Sequence, residues 1–232
     1  MKLAIMQPYF FPYIGYFQLC YVANKFVFLD DVNFINKGWI NRNRILLNND
    51  SFQFTIPLKN ASQNRKINSI ELAIDEKWQK TFYKTLEQTY KNAPYYSDIL
   101  SLIQKVFVAE PKYIGNLAKC SIKSTCKYLG LSTEFIFSSA KYNNHDLKGQ
   151  QRILSICTEE NASKYINLSG GIELYQKDLF NKKGVDINFL KSTEINYPQF
   201  KGNFVPWLSI IDVLMFNSPQ QILTLLSKFE LV

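Results

Sequence analysis

The chain has 232 residues, 47% of them hydrophobic, enough to bury the core of one large domain or of a domain with a subdomain. Lys plus Arg number 27 against 19 Asp plus Glu, a net charge of +8, but the lysines are dispersed along stretches such as 77–91 and 119–127, which reads as a solvated face and favours an anionic small ligand over specific nucleic acid. No run approaches the ~18 to 20 apolar residues of a membrane span, and the N terminus lacks the basic and long apolar segments of a secretory signal, so a cytoplasmic address is expected.

Residues Leu3 to Met6 form an apolar opening that runs into Gln7 and Pro8. Pro8 and Pro12 fix φ and disfavour helix before them, while Gly15 allows close backbone approach. The segment holding Tyr9, Phe10, Phe11 and Tyr13 therefore reads as a rigid aromatic loop between a strand and a helix. Tyr16, Leu19, Cys20 and Ala23 continue at helical spacing, and Phe26 to Leu29 is a short buried strand ending at Asp30 and Asp31. Such a βαβ unit places its polar residues at the carboxyl ends of the strands, where α/β proteins bind ligands.

From Asp30 the chain reads D-D-V-N-F-I-N-K-G-W-I-N-R-N-R-I, a dense mixture of carboxylates, amides, cations and an indole. Asn33, Lys37, Trp39, Asn41, Arg42, Asn43 and Arg44 are its candidate substrate-binding residues. If 41–44 is extended, Arg42 and Arg44 share one face and suit phosphate or carboxylate. Phe52 to Leu58 reads as a strand. Three helical stripes follow, marked by Trp78/Phe82/Leu86/Tyr90, Ile99/Leu102/Ile103/Val106 and Ile114/Leu117/Ala118/Ile122/Thr125, a helical insertion over roughly 75–130 closed by Gly130.

Strand and helix then alternate through Glu134–Phe137, the helix of Ile153, Tyr165–Leu168, the helix of Tyr175 and Leu179, and Asp186–Leu190. The expected fold is α/β with a mainly parallel sheet. Ser169, Gly170 and Gly171 offer bare backbone N–H groups after a buried strand, as phosphate prefers, with Tyr175 close behind. In a parallel sheet this turn shares an edge with Gln7–Gly15 and Asp30–Arg44, so Gln7, Tyr13, Tyr16, Asp31, Asn33, Asn43 and Ser169 are expected around one cleft, with Tyr9 a further substrate-binding candidate. Asp212, on the apolar helix of Ser209 to Phe216, needs a partner if buried, and Arg42 or Arg44 is the expected one.

Classical triads have little support. His145 is the one histidine, in a polar stretch suited to helix capping or exposure, and Cys20, Cys120, Cys126 and Cys157 sit in apolar patterns without paired spacing, which argues for buried thiols over a zinc site or disulfides. Acid/base work therefore falls to carboxylates, tyrosine or lysine. Asp31 leads as general base or ligand-orienting acid, ahead of Asp30.

Three features together, the Q-P-x-x-x-P-x-x-G-Y-F opening from Gln7, the aspartate-rich strand end and N-R-N-R-I at 41–45, resemble the WbqC-like family of bacterial proteins. Y-I-N-L-S-G-G-I-E-L-Y at 165–175 and W-L-S-I-I-D-V-L-M-F-N at 207–217 extend the likeness over nearly the whole chain. The resemblance implies a role in surface-polysaccharide (O-antigen or capsule) biosynthesis, with aminoacyl transfer to sugars suggested for the family. The sequence departs from the family pattern at Met6, where histidine is common. Tyr13, Ile14, Gly15 and Tyr16 also stand where nucleotidyltransferases of the H-I-G-H superfamily carry their signature, with tyrosines replacing both histidines, which makes Tyr16 a further catalytic candidate and ATP or another nucleotide a candidate cofactor.

Two functional classes follow. One is a transferase or ligase attaching an aminoacyl or acyl group to a sugar or nucleotide sugar. The other is a non-catalytic module that binds a nucleotide sugar or a partner enzyme.

Overall fold

The computed structural model describes residues 1–109 and 111–232. Strand β1 (Lys2–Met6), helix α1 (Ile14–Val22) and strand β2 (Lys25–Phe28) form the first βαβ unit, with β1 and β2 parallel in the register Ala4 opposite Phe26. A hairpin of β3 (Arg42–Leu47) and β4 (Asp50–Thr55) follows as a separate two-stranded sheet. Its two-residue turn, Asn48 and Asn49, has φ of 53° and 61°, positive values that match the twist of paired strands and that asparagine tolerates. Strand β4 ends at Thr55, short of the expected Leu58.

Helices α2 (Glu76–Tyr90), α3 (Tyr96–Val108) and α4 (Ile114–Tyr128) come next. Asp75 starts α2 by accepting the Trp78 N–H at 2.7 Å, and Gly130, at φ 69°, closes the turn after α4. Then come β5 (Glu134–Ile136), α5 (Gly149–Glu159), β6 (Lys164–Leu168), α6 (Lys177–Asn181), β7 (Asp186–Ser192), α7 (Ile210–Phe216), α8 (Pro219–Leu226) and β8 (Phe229–Leu231). The last two elements extend the sequence reading. Their signal was present: Ser218 and Gln221 form a reciprocal cap around Pro219, the residue type best suited to a first helical position.

The six-stranded sheet runs β5-β2-β1-β6-β7-β8, parallel throughout except for the antiparallel edge strand β8. Counting only the parallel strands, this is the doubly wound order 3-2-1-4-5, whose direction of winding reverses between β1 and β6. The carboxyl ends of these two neighbours, at Gln7 and Ser169, therefore flank the topological switch point.

Alternation along each strand splits the core in two. Ala4, Phe26, Phe28, Ile166 and Leu190 face a large aromatic layer built with α1, α4, α7 and the hairpin. Leu3, Ile5, Val27, Tyr165 and Phe189 face a smaller layer under α5 and α6. All three helices of the block at 75–130 pack into the large layer, α2 through Phe82 and Leu86, α3 through Ile99 and Ile103, and α4 through Ile114, Leu117, Ile122 and Cys126. No helix among the described residues is long and apolar enough to cross a membrane.

Candidate functional site

The loop after β1 is held from every side. Phe11 has φ of 41°, costly for a bulky residue and tolerated where surroundings over-determine it. Its N–H donates to Ser121 Oγ at 3.0 Å, and its carbonyl accepts from Asn43 Nδ2 and from Ser209 Oγ, both at 2.6 Å. The Tyr16 hydroxyl donates to the Gln7 carbonyl at 2.9 Å while its ring lies fully buried in the core. Asn43 and Tyr16 thus spend their polar groups on the loop itself. Phe10 and Phe11 turn into the core, which leaves Tyr9 and Tyr13 half-buried at its outer side.

Gly15 makes room for Tyr13. A Cβ at this position would lie 2.4 Å from the Tyr13 ring, so glycine lets that ring fold back over the start of α1. Tyr13 in turn lies 6.0 Å, centre to centre, from Trp207, another non-glycine residue at positive φ (61°). Trp207 is set by its neighbour Ser209, whose N–H donates to the Arg44 carbonyl at 2.7 Å and whose hydroxyl reaches Phe11.

Two cavities meet at this Tyr13–Trp207 pair. The first, about 260 Å³, has walls of Tyr9, Tyr13, Trp39 and Trp207 with Asn43 and Arg44 at its margin. Strand β3 is extended at 42–44, so Arg42 and Arg44 do share a face: their guanidinium carbons lie 5.5 and 5.0 Å from the centre of the Trp39 ring. Neither arginine pairs with a carboxylate among the described residues. The second cavity, about 370 Å³, lies between Tyr13, Trp207 and the segment after β7, with Glu194, Asn196, Tyr197 and Phe204 among its walls.

At the end of β2 the two aspartates have a different environment. Asp30 is buried against Lys119 Nζ at 2.5 Å and accepts from Ser138 Oγ at 2.6 Å. Asp31 takes two hydrogen bonds from Arg152 Nη2, at 2.6 and 2.7 Å, and one from Ser139 Oγ. Burial alone would raise the Asp31 pKa, but the Ser139 hydroxyl and the Arg152 guanidinium outweigh it and hold the carboxyl below its ordinary value. Arg152 is fixed in turn by Asn144 Oδ1, 3.1 Å from its Nε.

The lysine at 119 corrects the view of 119–127 as a solvated face. Its sequence signal is the set Gly115, Ile122 and Cys126, one turn before and one and two turns after, all buried on the same face of α4. Arg152, Ser138 and Ser139 were also missed, because nothing local distinguishes them from surface residues.

Asp212 corrects a second expectation. It is fully buried in α7, and no arginine reaches it; it accepts from Tyr90 Oη and Tyr197 Oη, each at 2.7 Å, and from Gln199 Nε2 at 2.8 Å. Burial outweighs these three neutral donors and raises its pKa. Arg42 instead donates through Nε to the Gly38 carbonyl at 2.8 Å.

The turn after β6 also differs from its expected form. Ser169–Leu174 is a 3₁₀ segment and α6 starts only at Lys177, so no α-helix N terminus stands behind the two glycines. Gly170 is exposed, whereas a Cβ on Gly171 would approach Asn167 Nδ2 to 3.0 Å, so packing explains Gly171. The Tyr175 hydroxyl is engaged by Tyr165 Oη and Asn167 Nδ2, each at 3.1 Å. Asn33 and Lys37 are exposed, and Asn41 Nδ2 donates to the Ile56 carbonyl at 2.8 Å. His145 is exposed too, and Cys120 is only half-buried, unlike the other three free thiols.

Gln7, Asp31 and Ser169 do follow neighbouring parallel strands on one sheet edge. Gln7 Oε1 is buried there with no hydrogen-bond partner among the described residues.

Comparison with known proteins agrees with the motifs. The chain is 27% identical over 220 residues to the uncharacterized protein Rv1507c of Mycobacterium tuberculosis (strain ATCC 25618 / H37Rv), covering 93% of each chain. No solved structure matches it. The pattern of the WbqC-like protein family matches residues 7–224, from the Gln7 loop to within α8, and the chain belongs to that family.

Proposed function

We propose that the chain is a cytoplasmic enzyme of bacterial surface-glycan biosynthesis, a transferase or ligase that attaches an aminoacyl or acyl group to a sugar or nucleotide sugar. The observation that carries this reading is the first cavity: four aromatic walls beside an arginine pair with no carboxylate partner among the described residues. Aromatic faces suit a sugar ring or a nucleobase, and guanidinium groups suit the phosphate or carboxylate attached to it. Family membership supports the glycan context, and the doubly wound sheet supports a nucleotide-bearing substrate near its switch point.

In this reading Arg44 and Trp39 bind the anionic end of the substrate, while Tyr9 and Tyr13 hold its ring. Burial raises the Tyr13 pKa, so its hydroxyl stays neutral and donates a hydrogen bond. Asp31 acts through Arg152 as a positioning residue for the sheet edge. Asp31→Asn then lowers stability and turnover together, whereas loss of a true general base would cost about 100- to 10,000-fold in rate with the fold intact.

The test is whether the purified protein consumes ATP or an aminoacyl donor only when an amino acid and a nucleotide sugar are both present. Turnover that requires both supports the enzyme. Tight nucleotide-sugar binding without turnover with any donor favours the non-catalytic module. Independently, Arg44→Gln is expected to weaken uridine diphosphate about tenfold or more, since a hydrogen bond to a charged group contributes roughly 1.5 to 3 kcal/mol, and to leave the unfolding midpoint unchanged because Arg44 is exposed.

A further inference from the structure

The second cavity has a chemistry opposite to that of the first. In a chain of net charge +8, no lysine or arginine lines it among the described residues. Its one ionisable acid is Glu194, exposed and outside every ion pair among the described residues, with Oε1 accepting from Asn196 Nδ2 at 2.8 Å. Around it stand the rings of Tyr13, Tyr197, Phe204 and Trp207. Tyr197 and Phe204 meet edge to face at 5.1 Å, and Tyr13 and Trp207 lie 6.0 Å apart, so two aromatic pairs contribute to the wall.

Aromatic faces present negative charge and attract cations, and ammonium groups are commonly recognised by several such rings with a carboxylate nearby. The cage is also built to persist. The Tyr197 hydroxyl is tied to Asp212, and Gln199 bridges the same carboxylate to the Val205 carbonyl at 3.1 Å, which staples the two ends of the Tyr197–Val205 loop to α7. The buried carboxylate of Asp212 holds the hydroxyl end of the Tyr197 ring in place.

We propose that this second cavity is an ammonium site that takes the charged amino group of a small amine-bearing substrate. Because it meets the arginine cavity at Tyr13 and Trp207, an amine held here lies next to the anionic substrate. This deepens the proposed function by assigning its amine-bearing partner to a place, and it rests on that reading only for the identity of the neighbour.

Benzylammonium and its neutral analogue benzyl alcohol serve as probes, with affinities measured by ligand-observed nuclear magnetic resonance on the full chain. Uridine diphosphate is titrated in parallel. The expected result is binding of benzylammonium about tenfold tighter than benzyl alcohol, a preference the Glu194→Gln variant loses, since desolvated cation–π contacts and a carboxylate each contribute on that scale. Phe204→Leu is expected to weaken benzylammonium severalfold, and Arg44→Gln to leave it unchanged. Equal affinity for the two probes, or wild-type affinity for benzylammonium in Glu194→Gln, overturns the ammonium site. If Glu194 governs benzylammonium while Arg44→Gln does not affect uridine diphosphate, the arginine cavity is wrong and the ammonium site stands.

Discussion

The carboxyl end of β2 and the groove around Tyr13 are both built on buried aspartates, but the two regions satisfy them differently. Asp30 and Asp31 face Lys119 and Arg152, cations that accompany them into the core. Asp212, behind the groove, has only two tyrosine hydroxyls and an amide among the described residues. Cations fix a carboxylate as an ionised strut, whereas neutral donors orient it without compensating its charge. The difference is one of charge pairing: at the β2 edge charge is consumed internally, while at the groove Arg44 and Glu194 are in no ion pair among the described residues.

The sharpest way to break this contrast is to remove one cation. Arg152→Leu strands Asp31 as an uncompensated buried charge and is expected to cost about 3 to 5 kcal/mol in urea unfolding at neutral pH. A loss below about 1 kcal/mol would mean that the pair is solvated and that the edge is no different from the groove. Asp212→Asn should cost less, about 1 to 3 kcal/mol, because the amide keeps one acceptor for the tyrosines and abolishes a charge that burial disfavours.

The two aspartates also predict opposite pH dependences. Asp31 has a lowered folded pKa, so its contribution is present above the ordinary aspartate value of about 3.9 and is lost as pH falls through the folded value. The deficit of Arg152→Leu should therefore shrink in acid. Asp212 has a raised folded pKa, so its contribution is present below about 3.9 and is lost as pH rises through the folded value. Asp212→Asn should accordingly gain on the wild type as pH rises above about 4 in the same urea series. Parallel curves for the two variants would erase the distinction between the regions.

The smallest effect on stability belongs to Gly15→Ala. Alanine favours helix by up to ~1 kcal/mol over glycine, offsetting the displacement of the Tyr13 ring, so the unfolding midpoint should barely move. Affinity for uridine diphosphate should nevertheless fall about tenfold, as loss of an aromatic contact worth roughly 0.5 to 1.5 kcal/mol compounds with a misshapen cavity. Unchanged affinity would show that Tyr13 does not shape the groove.

Much of this molecule is written in local pattern. Pro8, Pro12 and Gly15 mark the loop, apolar runs of four or five residues mark the parallel strands, and stripes at helical spacing mark α2, α3 and α4, because backbone sterics and burial periodicity act over a few residues. The parity of Arg42 and Arg44 followed from the two-residue repeat of a strand. Family kinship was equally legible in motifs, although it assigns no chemistry to a side chain. Only the tertiary structure decided which polar groups are spent. Lys119 meets Asp30 across 89 residues and Arg152 meets Asp31 across 121, while Asp212 is reached by Tyr90 from 122 residues away instead of by the expected arginines. The second cavity depends on the same long-range packing, since Trp207 lies beside Tyr13 where Ser209, at the start of α7, is tied to the opening loop. A sequence shows that a buried charge needs a partner, but packing alone selects which of several distant groups supplies it.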